Sequence, residues 1–459
     1  MTTTYDAIII GSGQAGPSLA ERLSKAGQKV AIIERKHFGG TCVNTGCVPT
    51  KAMVASAYAA HLARRSAEYG VDIEGSIKVD MKRVMERKDN IVEKSRTGVA
   101  NWMDSLKGGK VYRGHARFTG PKSVSVNDEI LNAKEIFINT GGRAFVPNIP
   151  GIENIAYLTN ASMMGVNFLP EHLVIFGGSY VGLEFAQAFR RFGSRVTIIE
   201  RADRLIARED YDVCLAVQEI LEIEGIDVRL GSKNMSFEQH GDSVLINVED
   251  STGASRIACS HVLMAVGRRP NTDDLGLDKA GVAIDAQGYI TVDDKCHTNV
   301  PGIWAMGDVN GRGAFTHTSY NDFEIVAANL LDNDPRRISD RIACYGLFVD
   351  PPLGRVGMTE KEVRAKGIKA LVAKRMMTGV GRARERGETQ GFMKVVVDAE
   401  SQKILGAAIL GIGGDEVVHA FLDIMAVGAP YTAISRAIHI HPTVSEYLPT
   451  ILQDLQPLV

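Results

Sequence analysis

The sequence predicts an α/β protein with two Rossmann-like dinucleotide-binding units and a separate α+β domain at the C-terminal end. The two units are predicted because residues 7–35 and 173–201 align without a gap, with ten identities in 29 positions. The last domain is predicted by a change of pattern after Pro335, where strand-like blocks such as MKVVVDA and ILGAAILG are followed by helix-like stretches. A chain of 459 residues has room for two to four domains of ordinary size.

Each copy of the repeat has its parts in the order of a βαβ unit. A short apolar run leads into a glycine loop, a helical stretch and a second apolar run that ends in glutamate. Gly11 and Gly177 permit the tight turn from strand to helix, and Gly13 lets the backbone approach a pyrophosphate. Gly16 and Gly182 let the helix pack closely on the strand. The pyrophosphate would then lie against N–H groups at the helix N-terminus.

The acidic residues of the repeat are predicted to bind a sugar. Glu34 and Glu200 end the second apolar run of each copy and can accept hydrogen bonds from a ribose diol. In the second copy Ser179 replaces the middle glycine, and its small side chain still permits the close approach. One glycine fingerprint alone is weak support, but two complete units predict two dinucleotide sites.

A pair of cysteines lies in the segment that reads GGTCVNTGCVPTK. On an ideal helix Cys42 and Cys47 would be too far apart for a disulfide, which requires Cα atoms about 4.4–6.8 Å apart. We therefore expect Cys42 to precede the regular helix, with Asn44 and Gly46 allowing the distortion. Pro49 fits only the first turn of a helix and places Cys47 at its N-terminus, where a thiolate is favoured. A structural disulfide is the alternative interpretation.

Composition argues against several classes of protein. The net charge is −2 and there is no basic run, so neither a nucleic-acid-binding nor a membrane-binding surface is expected. No apolar stretch approaches the roughly 20 residues that span a bilayer. The start MTTTYDAIII lacks a basic region and runs directly into a strand, which favours a mature cytoplasmic protein. The scattered cysteines are interpreted as small buried hydrophobic residues: Cys214, Cys259, Cys296 and Cys344.

The cysteine segment resembles the active-site motif of the class I pyridine nucleotide-disulfide oxidoreductases, the group of glutathione reductase, lipoamide dehydrogenase and mercuric reductase. The resemblance extends over essentially the whole chain, and TNVPGIWAMGD, which ends at Asp308, is similar to the second FAD motif of that family. It implies a four-part organisation, with residues 1–148 as the first part of an FAD-binding domain, 149–264 as an NAD(P)H-binding domain, 265–338 as the second FAD part and 339–459 as a dimerisation domain.

The resemblance also implies roles for individual residues. Cys42 would be the thiol that attacks substrate, and Cys47 would lie beside the flavin. Lys51 would lie near the flavin and pair with Glu184, and Tyr180 would cover the nicotinamide pocket. The alternatives are a solvated charge for Lys51, a surface salt bridge for Glu184 and simple packing against the glycine loop for Tyr180.

The cofactor-binding residues that the resemblance implies fall into two groups. Those for FAD are Gly11, Gly13, Gly16, Glu34, Gly40, Thr41, Lys51, Ala116, Thr140, Gly141 and Asp308. Those for NAD(P) are Gly177, Ser179, Tyr180, Gly182, Glu200, Arg201 and Gly267. No metal site is predicted.

The segment HIHPTVSE allows two interpretations of its glutamate. Thr443 and Glu446 have the spacing of a capping box, at a helix start that Pro442 permits just after His441. The family resemblance implies that His441 is the acid–base of the active site and that Glu446 orients its imidazole, and both interpretations can hold for Glu446. His439 is interpreted as structural. Because the family's histidine reaches the cysteines of the partner subunit, a homodimer with shared active sites is expected.

The resemblance implies an FAD-dependent enzyme that passes electrons from NAD(P)H through FAD and the Cys42–Cys47 disulfide to a small disulfide, oxidant or metal substrate. The alternative is a dihydrolipoamide dehydrogenase that runs in reverse with NAD⁺ as acceptor, which the HIHPT segment keeps open. A conventional mercuric reductase is not expected because the last cysteine is Cys344, and Glu21 stands where glutathione reductases carry an arginine. The overall pattern is most similar to mercuric-reductase-like enzymes and hypothiocyanous acid reductases.

The choice between NADH and NADPH is predicted from charge. Glu200 stands where a 2′-phosphate would need a cation, which favours NADH. Arg201, Arg204 and Arg208 follow closely and could fold over a phosphate, which favours NADPH. We expect NADH to be preferred.

Overall fold

The structure, a computed structural model, describes residues 2–251 and 253–458. These residues form two mainly parallel sheets covered by helices, an antiparallel sheet towards the C-terminal end, and smaller sheets between them. The predicted fold class, α/β with an α+β C-terminal domain, is confirmed.

The first sheet contains the first copy of the repeat. Its elements in chain order are β1 (Thr2–Ile10), α1 (Ala15–Lys25), β2 (Val30–Glu34), α2 (Gly40–Asn44), α3 (Cys47–Arg64), α4 (Met81–Asp104), β3 (Gly109–Arg113), β4 (Arg117–Gly120), β5 (Ser123–Val126), β6 (Glu129–Ile138) and β7 (Gly142–Ala144). Strands β3, β2, β1 and β6 lie side by side and parallel, and the β4–β5 hairpin pairs antiparallel with the first half of β6. Ile8 and Ile9 are fully buried, as expected for a parallel strand covered on both faces.

The second parallel sheet contains the second copy of the repeat. Its elements are β8 (His172–Phe176), α5 (Tyr180–Phe192), β9 (Arg195–Ile199), α6 (Tyr211–Ile223), β10 (Asp227–Arg229), β11 (Lys233–His240), β12 (Ser243–Asp250), β13 (Gly253–Cys259) and β14 (His261–Met264). The parallel order is β10–β9–β8–β14, and β11 to β13 form an antiparallel sheet of their own. In both copies, the strand that leads into the glycine loop (β1 in the first copy, β8 in the second) therefore lies inside its sheet.

After the second copy the chain returns to the first sheet. The elements of this return are β15 (Arg268–Pro270), α7 (Leu277–Ala280), β16 (Ile303–Ala305) and α8 (Thr316–Ala327). Strand β7 lies where the chain leaves the first sheet, and β15 lies where the chain returns to it. The two strands pair antiparallel. Strand β16 pairs parallel with the end of β6 and brings the Gly307–Asp308 turn to the carboxyl edge of the first sheet.

The C-terminal part of the chain is built on an antiparallel sheet. Its elements are β17 (Cys344–Leu347), β18 (Leu353–Gly357), α9 (Glu360–Ala365), β19 (Ala370–Met376), α10 (Gly381–Glu385), β20 (Phe392–Asp398), β21 (Ile404–Leu410), α11 (Gly414–Val417), α12 (His419–Ala426), α13 (Thr432–Ser435), α14 (Tyr447–Ile451) and β22 (Gln456–Pro457). The strand order is β17–β18–β21–β20–β19–β22. Part of this sheet has a buried cluster of its own, whereas Leu347, Leu353, Phe392 and Leu410 belong to the same cluster as the second parallel sheet.

Helices α3 and α5 pack against each other between the two parallel sheets. Met53 and Ala57 of α3 and Leu183 and Ala186 of α5 belong to one buried cluster, each 2% exposed or less. This apolar contact fixes how the first turns of the two helices face each other. It thereby brings a cysteine-bearing helix of the first copy against the glycine-loop helix of the second.

A buried ionic cluster joins the second parallel sheet to the C-terminal sheet. Arg355 of β18, 1% exposed, pairs with the fully buried carboxylate of Glu209 just before α6. Lys394 of β20 lies 2.9 Å from Asp210 and 2.8 Å from Glu360. Removing one member of a buried pair strands a charge and costs about 3–5 kcal/mol. The cluster therefore strongly constrains the positions of β17 and β18 relative to α6.

Candidate active site

The first glycine loop is shaped by close backbone contacts. Gly11 has φ +104°, and a Cβ there would lie 2.3 Å from the carbonyl oxygen of Asn139. A Cβ on Gly16 would lie 2.4 Å from the Gly11 carbonyl oxygen. The buried Asn139 side chain accepts the Gly16 N–H at 3.0 Å and donates to the Met306 carbonyl at 2.9 Å. Both glycines are required sterically, and Asn139 ties the loop to the end of the first sheet.

The N-terminus of α1 has donors for an anionic ligand. The N–H groups of Gly13 and Gln14 donate to no other group within the described residues. A Cβ on Gly40 would lie 2.8 Å from the Gly13 Cα, so the loop and the start of α2 also require each other's glycine. Free N–H groups at the positive end of a helix suit a pyrophosphate. This cradle fits the diphosphate of FAD.

The second glycine loop repeats the first. Gly177 has φ +110° and a Cβ there would lie 2.4 Å from the Ala265 carbonyl oxygen, while one on Gly182 would lie 2.1 Å from the Gly177 carbonyl. Ser179 is exposed and immediately precedes α5, and its N–H also lacks an acceptor within the described part of the chain. The serine leaves the cradle open, as expected for a variant of the fingerprint.

The two acidic residues of the repeat are held by the backbone in the same way. Glu34 Oε2 accepts the Ser12 N–H at 3.0 Å, and Glu200 Oε2 accepts the Gly178 N–H at 2.6 Å. In each copy the other carboxylate oxygen accepts the N–H two residues further along, at 2.8 Å. Each carboxylate is thereby fixed beside its glycine loop, where an adenosine ribose would lie.

The Gly307–Asp308 turn is supported by a buried carboxylate that the motif does not reveal. Asp322, 2% exposed on α8, accepts the Gly307 N–H at 2.7 Å. Asp308 lies 3.4 Å from the guanidinium of Arg268, which also lies 3.4 Å from the Thr41 hydroxyl. Burial raises the pKa of Asp308, and Arg268 opposes that effect.

The other expected cofactor residues lie in varied surroundings. Thr140 donates its hydroxyl to the Asn271 carbonyl at 2.9 Å, and Gly141, with φ +63°, accepts the Asn271 N–H at 2.9 Å. Ala116 is buried among the apolar residues of the first sheet. Gly267, with φ +135°, and Arg201 are exposed next to the second sheet.

The two cysteines lie on separate helices. Cys47 is the first residue of α3, with Pro49 in the first turn, as expected. Cys42 precedes α3, as expected, but it lies in a short helix of its own, α2, which the sequence did not predict. The break in the backbone falls between the two helices at Gly46, one of the two residues expected to allow it, where a Cβ would lie 2.9 Å from the Thr41 carbonyl oxygen. Two short helical segments, rather than a distorted one, bring the thiols together.

The two thiols share one proton unequally. A hydrogen bond from Cys42 lowers the pKa of Cys47 to about 6, and the Thr316 hydroxyl, 3.3 Å from the Cys47 sulfur, and the Lys51 ammonium lower it further. The same hydrogen bond and burial raise the pKa of Cys42 well above its usual range. Near neutral pH the proton therefore stays on Cys42 and the negative charge on Cys47. Thr316 begins α8 and is far from the cysteines in sequence.

The structure brings Lys51 and Glu184 together across the α3–α5 contact. The Lys51 Nζ lies 2.7 and 2.9 Å from the two carboxylate oxygens of Glu184, whose side chain is 6% exposed. Phe348 donates its N–H to Glu184 at 3.1 Å, and its ring centroid lies 4.5 Å from the Lys51 Nζ. The cation is held within one helical turn of Cys47, so it is fixed beside the thiolate.

Three aromatic rings meet at the start of α5. The Tyr180 ring lies edge-on to Phe315 at 5.9 Å and to Tyr345 at 5.6 Å, and these last two are stacked 5.6 Å apart. Burial raises the pKa of Tyr180 to about 12. Phe315 directly precedes Thr316, so the ring group adjoins the thiol pair. Sequence analysis missed Phe315 and Tyr345 because no local pattern marks them.

His441 and Glu446 form a pair on the surface. His441 Nδ1–H donates to the Glu446 carboxylate at 2.8 Å, while the His441 side chain is 81% exposed. The Thr443 hydroxyl accepts the Glu446 N–H at 3.2 Å, so half of the capping box is present as well. The exposed neighbours Ile438 and Ile440 form an apolar surface around the histidine. Within the described residues, His441 contacts neither Cys42 nor Cys47.

Comparison with known proteins identifies the family. The sequence profile of the pyridine nucleotide-disulphide oxidoreductases matches residues 5–322, and the profile of the dimerisation domain of these enzymes matches residues 344–451. The chain belongs to the pyridine nucleotide-disulphide oxidoreductase family.

Relatives cover nearly the whole chain. The probable pyridine nucleotide-disulfide oxidoreductase RclA of Escherichia coli is 36% identical over 97% of this chain and 98% of its own length. The dihydrolipoyl dehydrogenase of Thermus scotoductus is 34% identical over 97% and 96%. The solved structure of the HOCl-induced flavoprotein disulfide reductase RclA from Escherichia coli superposes with a TM-score of 0.89 and 35% identity, covering 98% of this chain and 99% of that one.

The predicted family, and with it the predicted function, is confirmed. This oxidoreductase is an FAD-dependent disulfide reductase that uses a pyridine nucleotide, and its dimerisation domain indicates a homodimer. The dihydrolipoamide dehydrogenase alternative is less well supported than this main interpretation. No helix in the described parts of this oxidoreductase is both long and apolar enough to cross a membrane.

The duplicated glycine loops predict two separable binding defects. Gly11→Ala places a methyl group 2.3 Å from a carbonyl oxygen, and Gly177→Ala places one 2.4 Å from its counterpart. We expect Gly11→Ala to lose FAD by at least about ten-fold, since about 1.4 kcal/mol suffices for that, as judged by flavin absorbance per chain. Gly177→Ala should keep FAD and lose nicotinamide binding by a similar factor, measured by calorimetry.

Gly98→Ala is the matched control, because Gly98 lies within α4 with open space around it and should tolerate a methyl group in both assays. A Gly11→Ala protein with a full complement of FAD would contradict the assignment of the first loop.

Proposed function

We propose that this oxidoreductase reduces a small oxidised sulfur compound or related oxidant at the expense of NAD(P)H, with Cys42 facing the substrate and Cys47 facing the flavin. The observation that carries this proposal is the position of Cys47 at the start of α3, 3.3 Å from the Thr316 hydroxyl and close to the Lys51–Glu184 pair, where its pKa is lowered while that of Cys42 is raised. Such an arrangement keeps one sulfur as a stabilised anion and the other as the attacking group that a base must activate.

When bound, FAD carries two electrons between the nicotinamide and the thiol pair. The protein itself keeps the thiol pair in one protonation state, with the proton on Cys42 and the negative charge on Cys47. Thr316 and Lys51 stabilise the negative charge at Cys47. Cys42 retains its proton, so it needs a base before it can attack, and we assign that role to His441, whose Nε2 is left free as an acceptor by the Nδ1–H bond to Glu446.

With a disulfide substrate the proposed steps balance as follows. The partner subunit's His441 takes the proton of Cys42, whose sulfur forms a bond to one substrate sulfur while the substrate S–S bond breaks. The leaving thiolate takes the proton from the imidazolium. The Cys47 thiolate then attacks the Cys42 sulfur, which releases the second substrate thiolate and closes the Cys42–Cys47 disulfide. The substrate gains two electrons and the thiol pair loses two.

The shared site requires the dimer, and several observations support it. His441 is exposed and lies among exposed apolar residues, far in sequence from Cys42. The family's dimerisation domain covers residues 344–451, which include this histidine. We therefore propose a homodimer in which each active site combines the thiol pair of one chain with the histidine of the other.

The substrate class is inferred from the relatives and from the thiol pair. RclA is described as an HOCl-induced disulfide reductase and was also solved as a Cu(II) complex. A dithiol reduces disulfides, hypohalous-type oxidants and thiophilic metal ions alike. We propose that an oxidant or disulfide is the physiological acceptor, and that the chain works in the cytoplasm, where a cysteine pair is more often catalytic than structural. We also propose the four-part domain division and the remaining cofactor contacts that the family resemblance implies.

NADH is proposed as the preferred reductant. The Glu200 carboxylate is fixed at the second glycine loop by two backbone N–H groups, where it would oppose a 2′-phosphate. Arg201 and Arg208 are exposed, and Arg204 lies 3.3 Å from Asp203. A fixed carboxylate outweighs arginines that must first be ordered.

A substrate panel tests the function and the nucleotide preference together. Lipoamide, glutathione disulfide, mercuric ion, cupric ion and hypothiocyanous acid are each assayed with NADH and with NADPH. We expect kcat/KM to be higher for the oxidant than for lipoamide, and higher with NADH by several-fold. Lipoamide as the best substrate would favour the dehydrogenase alternative, and a preference for NADPH above about ten-fold would show that the arginines dominate.

The thiol assignment predicts a pH-dependent spectrum. After two-electron reduction, the long-wavelength absorbance of a thiolate beside the flavin should appear as the pH rises through about 6, because the pKa of Cys47 is lowered to about 6. Cys47→Ser should abolish this absorbance, and Cys42→Ser should show it without any reductant. Thr316→Val should move the titration upwards by roughly one pH unit through loss of a hydrogen bond to a charged sulfur.

Thr316→Ser keeps the hydroxyl and is the matched control, so it should titrate like the unmodified enzyme. An ordinary oxidised-flavin spectrum for Cys42→Ser at neutral pH would contradict the assignment of the two sulfurs.

The histidine assignment predicts complementation between chains. His441→Gln should retain FAD and rapid reduction by the nicotinamide, while turnover falls by roughly 10²–10⁴, the usual worth of a positioned acid–base. Mixing His441→Gln with Cys42→Ser chains should restore one working site per heterodimer, measured as turnover after subunit exchange. Mixtures that stay inactive after exchange is demonstrated, or an active monomer, would refute the shared site.

A further inference from the structure

Tyr345 is held on three sides at the edge of the proposed nicotinamide site. It lies on β17, and its ring stacks on Phe315 at 5.6 Å and 12°. The edge of the Tyr180 ring meets it at 5.6 Å and 78°. Offset and edge-to-face aromatic contacts of this kind are worth about 0.5–1.5 kcal/mol each beyond their buried area.

The hydroxyl end of Tyr345 is anchored in the buried ionic cluster. It donates a hydrogen bond to the carboxylate of Glu209, which is fully buried. The other oxygen of that carboxylate accepts from the Arg355 Nε at 3.0 Å, and Arg355 is 1% exposed. If Arg355 turned away, the Glu209 carboxylate would lose its cation in the interior, which is costly. The Tyr345 hydroxyl is therefore attached to one of the most firmly held groups in the protein.

Glu209, which accepts the Tyr345 hydroxyl, lies in the segment that follows Glu200. Within this segment Ile206 donates its N–H to the Gly178 carbonyl at 2.8 Å, which ties it to the second glycine loop. Three residues later Glu209 accepts the Tyr345 hydroxyl. A short stretch of chain thus connects the proposed ribose contact with the aromatic group at the opposite end of the nucleotide site.

We propose that Tyr345 is a positioning residue that holds the Tyr180 ring over the nicotinamide pocket, through its ring contact to Tyr180 and its hydroxyl bond to the Glu209–Arg355 pair. The inference rests on the proposed function and on the family resemblance, which implies that Tyr180 covers that pocket. Within the described residues Tyr345 contacts neither thiol, and it acts by stabilising the covering position of Tyr180 relative to the displaced one.

The energetic consequence has a definite sign. If Tyr180 covers the pocket, nicotinamide binds only when it displaces that ring, so every contact that favours the covering position weakens nucleotide binding. Loosening Tyr345 should therefore tighten binding rather than weaken it. A residue with only a structural role would produce the opposite effect or none.

The test measures NAD⁺ binding to the oxidised FAD-containing homodimer by calorimetry, without turnover. Tyr345→Phe keeps the ring and removes the hydroxyl bond, and we expect its Kd to fall by roughly three- to ten-fold, the worth of one hydrogen bond. Tyr180→Ala should lower the Kd at least as much. In the Tyr180→Ala background, Tyr345→Phe should change the Kd by less than about two-fold, because its effect acts through Tyr180.

Tyr211→Phe is the matched control, since Tyr211 is 67% exposed on α6 and its Kd should equal that of the unmodified enzyme. If Tyr345→Phe does not fold, Phe315→Leu loosens the same ring group without touching the ionic cluster and should also lower the Kd. An unchanged or raised Kd in a folded Tyr345→Phe or Phe315→Leu protein, or an equal effect in the Tyr180→Ala background, overturns the inference. An unchanged Kd in Tyr180→Ala alone overturns the proposed role of Tyr180 and this inference with it.

Discussion

The sharing of one proton between two sulfurs is the constraint around which the active site is built. Two thiols close enough to form a disulfide cannot both ionise, since like charges at that distance repel strongly. Cys47 takes the charge because it accepts a hydrogen bond from Cys42 and lies beside the Thr316 hydroxyl and the Lys51 ammonium, all of which lower its pKa. Cys42 keeps the proton, which creates the need for a base that no described residue near it supplies. In the proposed function this need is met by the exposed His441–Glu446 pair of a second chain.

The duplicated units solve one steric problem twice. In each copy the loop contains a glycine with positive φ. A Cβ added to this glycine would lie within 2.4 Å of a carbonyl oxygen directly after the neighbouring strand. In each copy a glutamate carboxylate, predicted to bind a sugar, accepts an N–H group of the glycine loop and so belongs to the hydrogen bonding of the loop itself. A Cβ on Gly13 would lie 3.0 Å from the Asn139 side-chain oxygen, whereas Ala265 stands at the matching place in the second copy. The missing side-chain oxygen explains why Ser179 is tolerated there.

The sequence predicts what local patterns encode and misses what distant segments bring together. The βαβ repeat, Cys47 at a helix start and the fold class follow from spacing and periodicity along short stretches. The helix around Cys42 is not predicted, because five residues are too few for periodicity and only the Gly46 turn separates α2 from α3. Asn139, Asp322 and Thr316 support the predicted motifs from other elements, as buried or cross-element polar groups that no motif marks. Tyr345 enters through the pairing of β17 with β18, a tertiary contact beyond the reach of propensity.

Two short segments form both sides of the site. Residues 315–316 contact Tyr180 through one side chain and Cys47 through the next. Residues 345–348 contact Tyr180 through Tyr345 and the Lys51–Glu184 pair through Phe348. The distance between the thiol pair and the proposed nicotinamide pocket is therefore set by short pieces of backbone. The first segment separates its two contacts by one residue and the second by three, so no independent loops are involved. A backbone shift of either segment changes both sides together, whereas a change of one side chain can alter one side and leave the other in place.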